Sequence, residues 1–378
     1  MIRFGRDVTR TERSMVEAVV DLALKDAGIT ASDVQRVFSG NAAAGLVSGQ
    51  EMIRGQVALQ GTALAGVPLV NVENACASSS SAASLAFEAI LAGRCDVTMV
   101  VGVEKLSHED KTRAFDALSG ATDVAAITRD GSPATNSVFI DVYAAEARKY
   151  LAEYDATVED FATVAVKNRR HGSLNPLAQY QTPQTIEEVL GARVVVDPLT
   201  LPMCSPTTDG AAAIVLVSEE YAKRLGGTGV EIRASRVAAG AGPGSEPVAV
   251  AARAAFADAG LGPDDIDLLE LHDAAAPAEI LQYAEIGLCA PGEGHLLVRS
   301  GATSLGGKIP VNTSGGLMSR GHPIGATGCA QLVEIYDQLN ERAGARQVDN
   351  ARVGMAVNAG GWLNGVYAAA VATILVKV

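Results

Sequence analysis

A segment near the start of the chain recurs near its end. Ala27-Gly28-Ile29-Thr30-Ala31-Ser32-Asp33-Val34 matches Ala259-Gly260-Leu261-Gly262-Pro263-Asp264-Asp265-Ile266 at a constant offset of 232 positions. A repeat at fixed offset marks a duplicated unit, so both halves must build the same supersecondary structure. Each copy follows an apolar pattern of helical spacing, residues 14–26 and 248–258. In the first, Met15, Val19, Leu22 and Ala23 share one face. Each helix is expected to stop at its Ala-Gly, where glycine tolerates a left-handed cap. Each then leads into a short apolar strand, 34–39 and 266–272. Chance likeness of two alanine-rich helices is the competing explanation, because the match is short.

The repeat exposes an asymmetry. A strand-like run at 230–237 precedes the second copy, and at the same offset its counterpart would start before Met1. The remainder, Met1-Ile2-Arg3-Phe4-Gly5-Arg6, is short, charged and broken by glycine. The first half is therefore expected to lack most of its opening strand. A start codon placed too late is the preferred explanation, and a shortened sheet is the alternative. Between the halves, residues 113–195 are richer in charge and loop formers, with helical patterns at 142–153 and 158–168. This region reads as an excursion from the first half, giving halves of 1–228 and 229–378.

Composition removes several function classes. The 378 residues are 48% hydrophobic, a globular value, and suffice for roughly two to three domains' worth of core. A net charge of -13 disfavours nucleic acid and anionic lipid as partners. An anionic ligand then needs a local basic patch, and Lys167-Asn168-Arg169-Arg170-His171 is the densest in the excursion. The five cysteines are scattered and form no CxxC pair, which argues against a disulfide framework and a zinc site. The charged stretch from Met1 to Arg13 is not expected to act as a secretory leader, and no apolar run reaches the roughly 18 residues of a membrane span. A reducing cytoplasm is the expected compartment.

Three constellations carry chemistry. Cys76 follows the strand at 69–72 in Asn74-Ala75-Cys76-Ala77-Ser78 and precedes a helix of small residues. At a helix N-terminus the macrodipole and free amides favour thiolate over thiol, and an amide is at hand for an oxyanion. A small buried structural cysteine is the competing reading. His322 lies in a loop rich in glycine and proline, Asn312 to Gly328, where glycines permit close approach of a ligand. It is a candidate base for a thiol, or a donor to an oxyanion. His272-Asp273 ends an apolar strand, a usual place for function in α/β proteins; a core histidine satisfied by Asp273 is the alternative. Gly360, in Asn358-Ala359-Gly360-Gly361, offers a further amide. Dinucleotide-binding, P-loop and nucleophile-elbow spacings are all missing.

Together these residues resemble the thiolase superfamily over nearly the whole chain. Asn-Ala-Cys-Ala-Ser around Cys76 looks like the thiolase nucleophile motif. Gly321-His322-Pro323-Ile324-Gly325-Ala326-Thr327-Gly328 matches the family's histidine motif letter for letter. Cys204 to Ala213 resembles the segment entering the last strand of the first half, where Ser205 holds the place of the serine lining the pantetheine tunnel. The resemblance implies an α/β fold of two duplicated βαβαβαββ halves in a five-layered αβαβα arrangement, with an inserted loop domain over the site. It implies thiolysis of a 3-oxoacyl-CoA by CoA, or the reverse Claisen condensation, through an acyl-Cys76 intermediate. Cys76 and Gly360 amides would hold the acyl oxyanion, while His272 and His322 would hold the enolate oxygen. CoA is then a cosubstrate, with no permanent cofactor and no metal. Lys167, Arg169, Arg170 and His171 are candidates for its phosphates, a solvated helix end being the alternative.

The departures matter as much. Typical thiolases carry an acid/base cysteine where this chain has Asn358, and those linked to sterol carrier protein carry one after His-Asp, where this chain has Ala274. The His-Asp-Ala set is more similar to archaeal-type thiolases, which commonly work with a small partner bearing an OB fold and a zinc ribbon. The resemblance thus implies a homodimer and such a partner, with His272 as the substitute base. A retro-aldolase or decarboxylating condensing enzyme is the second reading, and a noncatalytic acyl-CoA-binding subunit the third.

Overall fold

Two four-stranded sheets repeat one topology. The computed structural model describes residues 1–125, 137–227 and 229–378, so the half boundary expected at 228 and part of the expected excursion, 126–136, lie outside the described residues. The first sheet contains β1 (Arg36–Gly40), β2 (Leu69–Val72), β3 (Val97–Glu104) and β4 (Gly210–Val217), in the order β2-β1-β3-β4. The second contains β5 (Val230–Ala239), β6 (Leu268–Glu270), β7 (Val353–Leu363) and β8 (Val366–Lys377), in the order β5-β8-β7-β6. Val311 extends it by pairing in parallel with Leu269, as β2 pairs with β1. The two orders then coincide. The counterpart of β5 is residues 2–5, where Ile2 donates its amide to Ala211 O at 3.2 Å and Gly5 pairs with Asp209. That opening strand is short, as the repeat predicts.

The repeat holds down to single hydrogen bonds. Helix α1 (Glu12–Ala27) and its partner α5 (Pro247–Ala259) both stop at a left-handed glycine, Gly28 at φ 67° and Gly260 at φ 66°. Beyond each stop the same turn forms: Asp33 accepts from Thr30 N at 2.8 Å, and Asp265 from Gly262 N at 2.7 Å. An aspartate closing its own turn explains why these letters survive in both copies.

Five further helices position the site: α2 (Ser78–Leu91), α3 (Val138–Glu153), α4 (Val158–Ser173), α6 (Ala276–Glu285) and α7 (Thr327–Leu339). Helices α2 and α7 pack on each other between the sheets, α1 covers the outer face of the first sheet and α5 that of the second. These are the five layers that the resemblance implies. The central layer is thin because its contact residues are small. A Cβ on Gly328 of α7 would fall 2.6 Å from Ser80 N of α2, and one on Gly102 of β3 would fall 2.8 Å from Ala326 Cα. On α1, Met15, Val16, Val19 and Val20 are buried, each contributing about 1.5–3 kcal/mol by leaving water. From the excursion, α3 and α4 pack against α6. Among the described residues, no helix is long and apolar enough to cross a membrane.

Candidate active site

The residues that carry chemistry gather where β2, β6 and β7 end. Cys76 sits two residues before α2, in a turn closed by Ala77 N to Asn74 O at 2.9 Å. Ala75 takes φ 49°, a left-handed conformation that costs a non-glycine residue about 1–3 kcal/mol. The turn places Cys76 on the wall of a cavity of about 240 Å³. His322 and His272 line the same cavity, and one ligand atom from each of the three side chains lies within 4.8 Å of the others. The imidazoles meet nearly edge to face, with centroids 5.2 Å apart.

Hydrogen bonds set the two imidazoles in opposite roles. Thr327 Oγ1 spends its proton on Pro323 O at 3.1 Å, so it must accept from His322 Nδ1 at 2.8 Å. His322 Nε2 is then an unprotonated acceptor. Burial, then His272 and Arg320, hold this ring's pKa well below the usual histidine value, so it is neutral near pH 7. For His272, Asn358 points its Nδ2 at the ring's Nδ1, 3.3 Å away. With the amide so oriented, His272 Nδ1 accepts and Nε2 carries the proton. Burial drives His272 down to about 3. It presents a neutral N–H donor rather than the substitute base expected. Nor does Asp273 orient it: that carboxyl accepts from Leu317 N at 2.7 Å and Asn168 Nδ2 at 2.8 Å. The three atoms are also close enough to ligate one metal ion.

The helix N-terminus does not make Cys76 a resting thiolate, as the sequence led us to expect. Burial, followed by the Glu104 carboxylate, pushes the thiol up to about 12. The amides of Cys76 itself and of Gly361 oppose this by pointing at the sulfur. The second amide is therefore that of Gly361, one residue past the Gly360 expected. Gly360 is instead a close-approach position, where a Cβ would fall 2.1 Å from Asn74 O. Glu104, which sequence reasoning missed, clamps both loops: it accepts from Ala43 N at 3.1 Å, Ala42 N at 3.0 Å and Gly325 N at 3.1 Å.

The expected phosphate cluster is largely internal. Lys167 Nζ pairs with Glu279 Oε1 at 2.9 Å with both side chains buried, and also donates to Val311 O at 2.9 Å. His171 is wedged between Asn312 O and Leu305 N, each at 3.0 Å. The Arg169 guanidinium lies 3.9 Å from the centroid of the Tyr180 ring and is buried. Arg170 alone of the four is exposed. On a helix, positions four apart share a face, so Lys167 and His171 turn inward together. Ser205 does line the cavity, its amide bonded to Ala274 O at 2.9 Å. So do Arg193, which is exposed, and Tyr143 and Tyr367; no motif pointed to any of these.

Residues 4–220 match the thiolase N-terminal domain, and residues 229–376 the thiolase C-terminal domain-like family. The chain is 37% identical to the acetyl-CoA acetyltransferase of Methanothermobacter thermautotrophicus, over 95% of this chain and 94% of that protein. It is 36% identical to the benzoylsuccinyl-CoA thiolase subunit BbsB of Thauera aromatica, over 87% and 84%. Human sterol carrier protein 2 is 33% identical over 95% of this chain and 68% of its own length. Among solved structures, the Ltp2-ChsH2(DUF35) aldolase superposes with a TM-score of 0.79 over 99% of this chain and 95% of that one; at 24% identity, it shares the fold. The chain belongs to the thiolase family. It is an enzyme, an acyltransferase of the thiolase type.

Proposed function

We propose that the enzyme cleaves a 3-oxoacyl-CoA with CoA as cosubstrate, or runs the reverse condensation, through an acyl thioester on Cys76. The observation that carries this reading is the opposed pair of imidazoles at the thiol. His322 Nε2 takes the Cys76 proton as sulfur attacks the substrate carbonyl, which offsets the high thiol pKa at the moment of reaction. Cys76 and Gly361 amides receive the oxyanion, and His272 Nε2–H receives the thioester enolate oxygen. Donors aimed in this way each lower the barrier by about 2.7–4 kcal/mol. CoA then attacks acyl-Cys76. Incubating the chain with a 3-oxoacyl-CoA, with CoA present or withheld, tests this: cleavage should consume one CoA per bond broken. Sustained cleavage without CoA would favour an aldolase-type lyase instead.

We assign residues 1–228 to the half bearing the nucleophile and 229–378 to the half bearing both histidines, with the excursion at about 113–195 roofing the cavity. Phe115, Phe139 and Ile140 on the cavity wall support this. For the CoA phosphates, Arg193 at the cavity wall and exposed Arg170 replace the buried members of the basic cluster. Arg193→Ala is expected to raise KM for CoA several-fold, on the order of one charge-assisted hydrogen bond, with kcat little changed. An unaltered KM would exclude it.

A homodimer through the β2 edge is supported by the exposed Val70 on that terminal strand. A partner subunit, of the OB-fold and zinc-ribbon kind, is supported by the thiolase relative that is itself a subunit and by the two-component name of the solved aldolase. The cytoplasm is the proposed compartment. Native purification followed by light scattering tests both assemblies. A lone monomer at micromolar concentration would refute them.

A further inference from the structure

Thiolytic cleavage leaves an enolate whose C2 carbon must take a proton. Ala274 has none to give, Asn358 is no acid near neutral pH, His322 serves the thiol, and His272 Nε2–H holds the enolate oxygen. The Cys204 thiol on the same wall donates to Thr200 O at 3.6 Å, which leaves two phenols in the cavity. Tyr143, on α3, accepts a hydrogen bond from Tyr367 Oη at 3.4 Å, so its own proton is free to turn toward the cavity. Tyr367, on β8, stands edge-on to the His272 ring at 6.0 Å.

Behind the two rings lies a second cavity of about 120 Å³, with room for several waters. The same two tyrosines line it, together with Glu146, Glu246 and Glu285. No described group hydrogen-bonds the buried Glu285 Oε2. Burial, Glu246 and Glu146 push Glu285 up to about 7, so it exchanges protons near neutrality.

We propose that Tyr143 is the general acid and base at substrate C2, with Tyr367 relaying protons to it from Glu285 in the rear cavity. This rests on the thiolase reading and supplies the acid/base that the missing cysteines leave open. In cleavage, the Cys76 proton passes to His322 and sulfur bonds to C3. The C2–C3 bond breaks and its electron pair takes the Tyr143 proton. Tyr143 is refilled from Tyr367, and Tyr367 from the Glu285 carboxyl through water. CoA then attacks acyl-Cys76, its thiol proton returns along the relay to Glu285, and departing Cys76 recovers its proton from His322. Every group ends as it began.

The test is C2–H exchange of acetyl-CoA in deuterium oxide, read by mass spectrometry, alongside acylation of Cys76. Tyr143→Phe should lower exchange and thiolysis by about 10²-fold or more while acyl-Cys76 still forms. Tyr367→Phe should show the same loss, and it decides the matter if Tyr143→Phe fails to fold. Cleavage by the unaltered chain should slow as pH rises through about 7, where Glu285 loses its proton beside Glu146 and Glu246, and Glu285→Gln should remove that limb. A folded Tyr143→Phe that exchanges C2–H at the parent rate would overturn the assignment. So would an unaltered chain that acylates Cys76 yet exchanges nothing. An unaltered chain that does neither would overturn the thiolase reading and the relay with it.

Discussion

Cys76→Ala is expected to abolish turnover, by about 10⁵-fold or more, while the protein still melts as a folded unit. The size follows from the way a nucleophile and its base act as one device: losing either forfeits nearly all the gain they make together. The structural cost is small because Cys76 sits with 7% exposure in a turn fixed by Ala75, Asn74 and Ser78, not by the sulfur. Steady-state thiolysis and a thermal melt, run side by side, check both halves. Residual turnover within tenfold of the parent would move the nucleophile elsewhere.

Lys167→Ala is expected to destabilise the fold by about 3–5 kcal/mol, because it leaves the Glu279 carboxylate buried and unpaired. Glu279 also accepts from Asn168 Nδ2 at 2.9 Å, Asn312 Nδ2 at 2.6 Å and the Tyr283 hydroxyl. That network ties α4 to α6 and to the loop that leads toward His322. Activity should fall with stability, and KM for CoA should stay put in whatever folded fraction remains. Denaturant unfolding measures the first and initial rates the second. Had Lys167 faced CoA phosphates, the pattern would invert: a raised KM and an unchanged midpoint.

What the sequence made legible was local. The offset of 232 could be read because Gly28 and Gly260 hold a conformation other residues resist, and because Asp33 and Asp265 close identical turns. The histidine motif could be read because its glycines are forced by contact: a side chain on Gly325 or Gly328 would strike neighbouring backbone. What stayed hidden depended on burial and distant partners. A basic string at 167–171 says nothing of which members meet Glu279 or Asn312. The thiolate expected of Cys76 assumed an open helix end, whereas desolvation outweighs the dipole there. His272 looked like a base until Asn358, 86 positions away, put the proton on the nitrogen that faces the cavity. The Tyr143–Tyr367 contact joins residues 224 apart, with no motif around either.

The central claim is that acyl transfer passes through sulfur. Its most direct measurement is intact-mass analysis of the chain mixed with a 3-oxoacyl-CoA in the absence of CoA, then chased with CoA. The account predicts one acyl adduct, located at Cys76 by peptide mapping, that disappears on the chase as an equal amount of shorter acyl-CoA forms. Cleavage of the substrate with no adduct at any time, and with CoA left unconsumed, would contradict it.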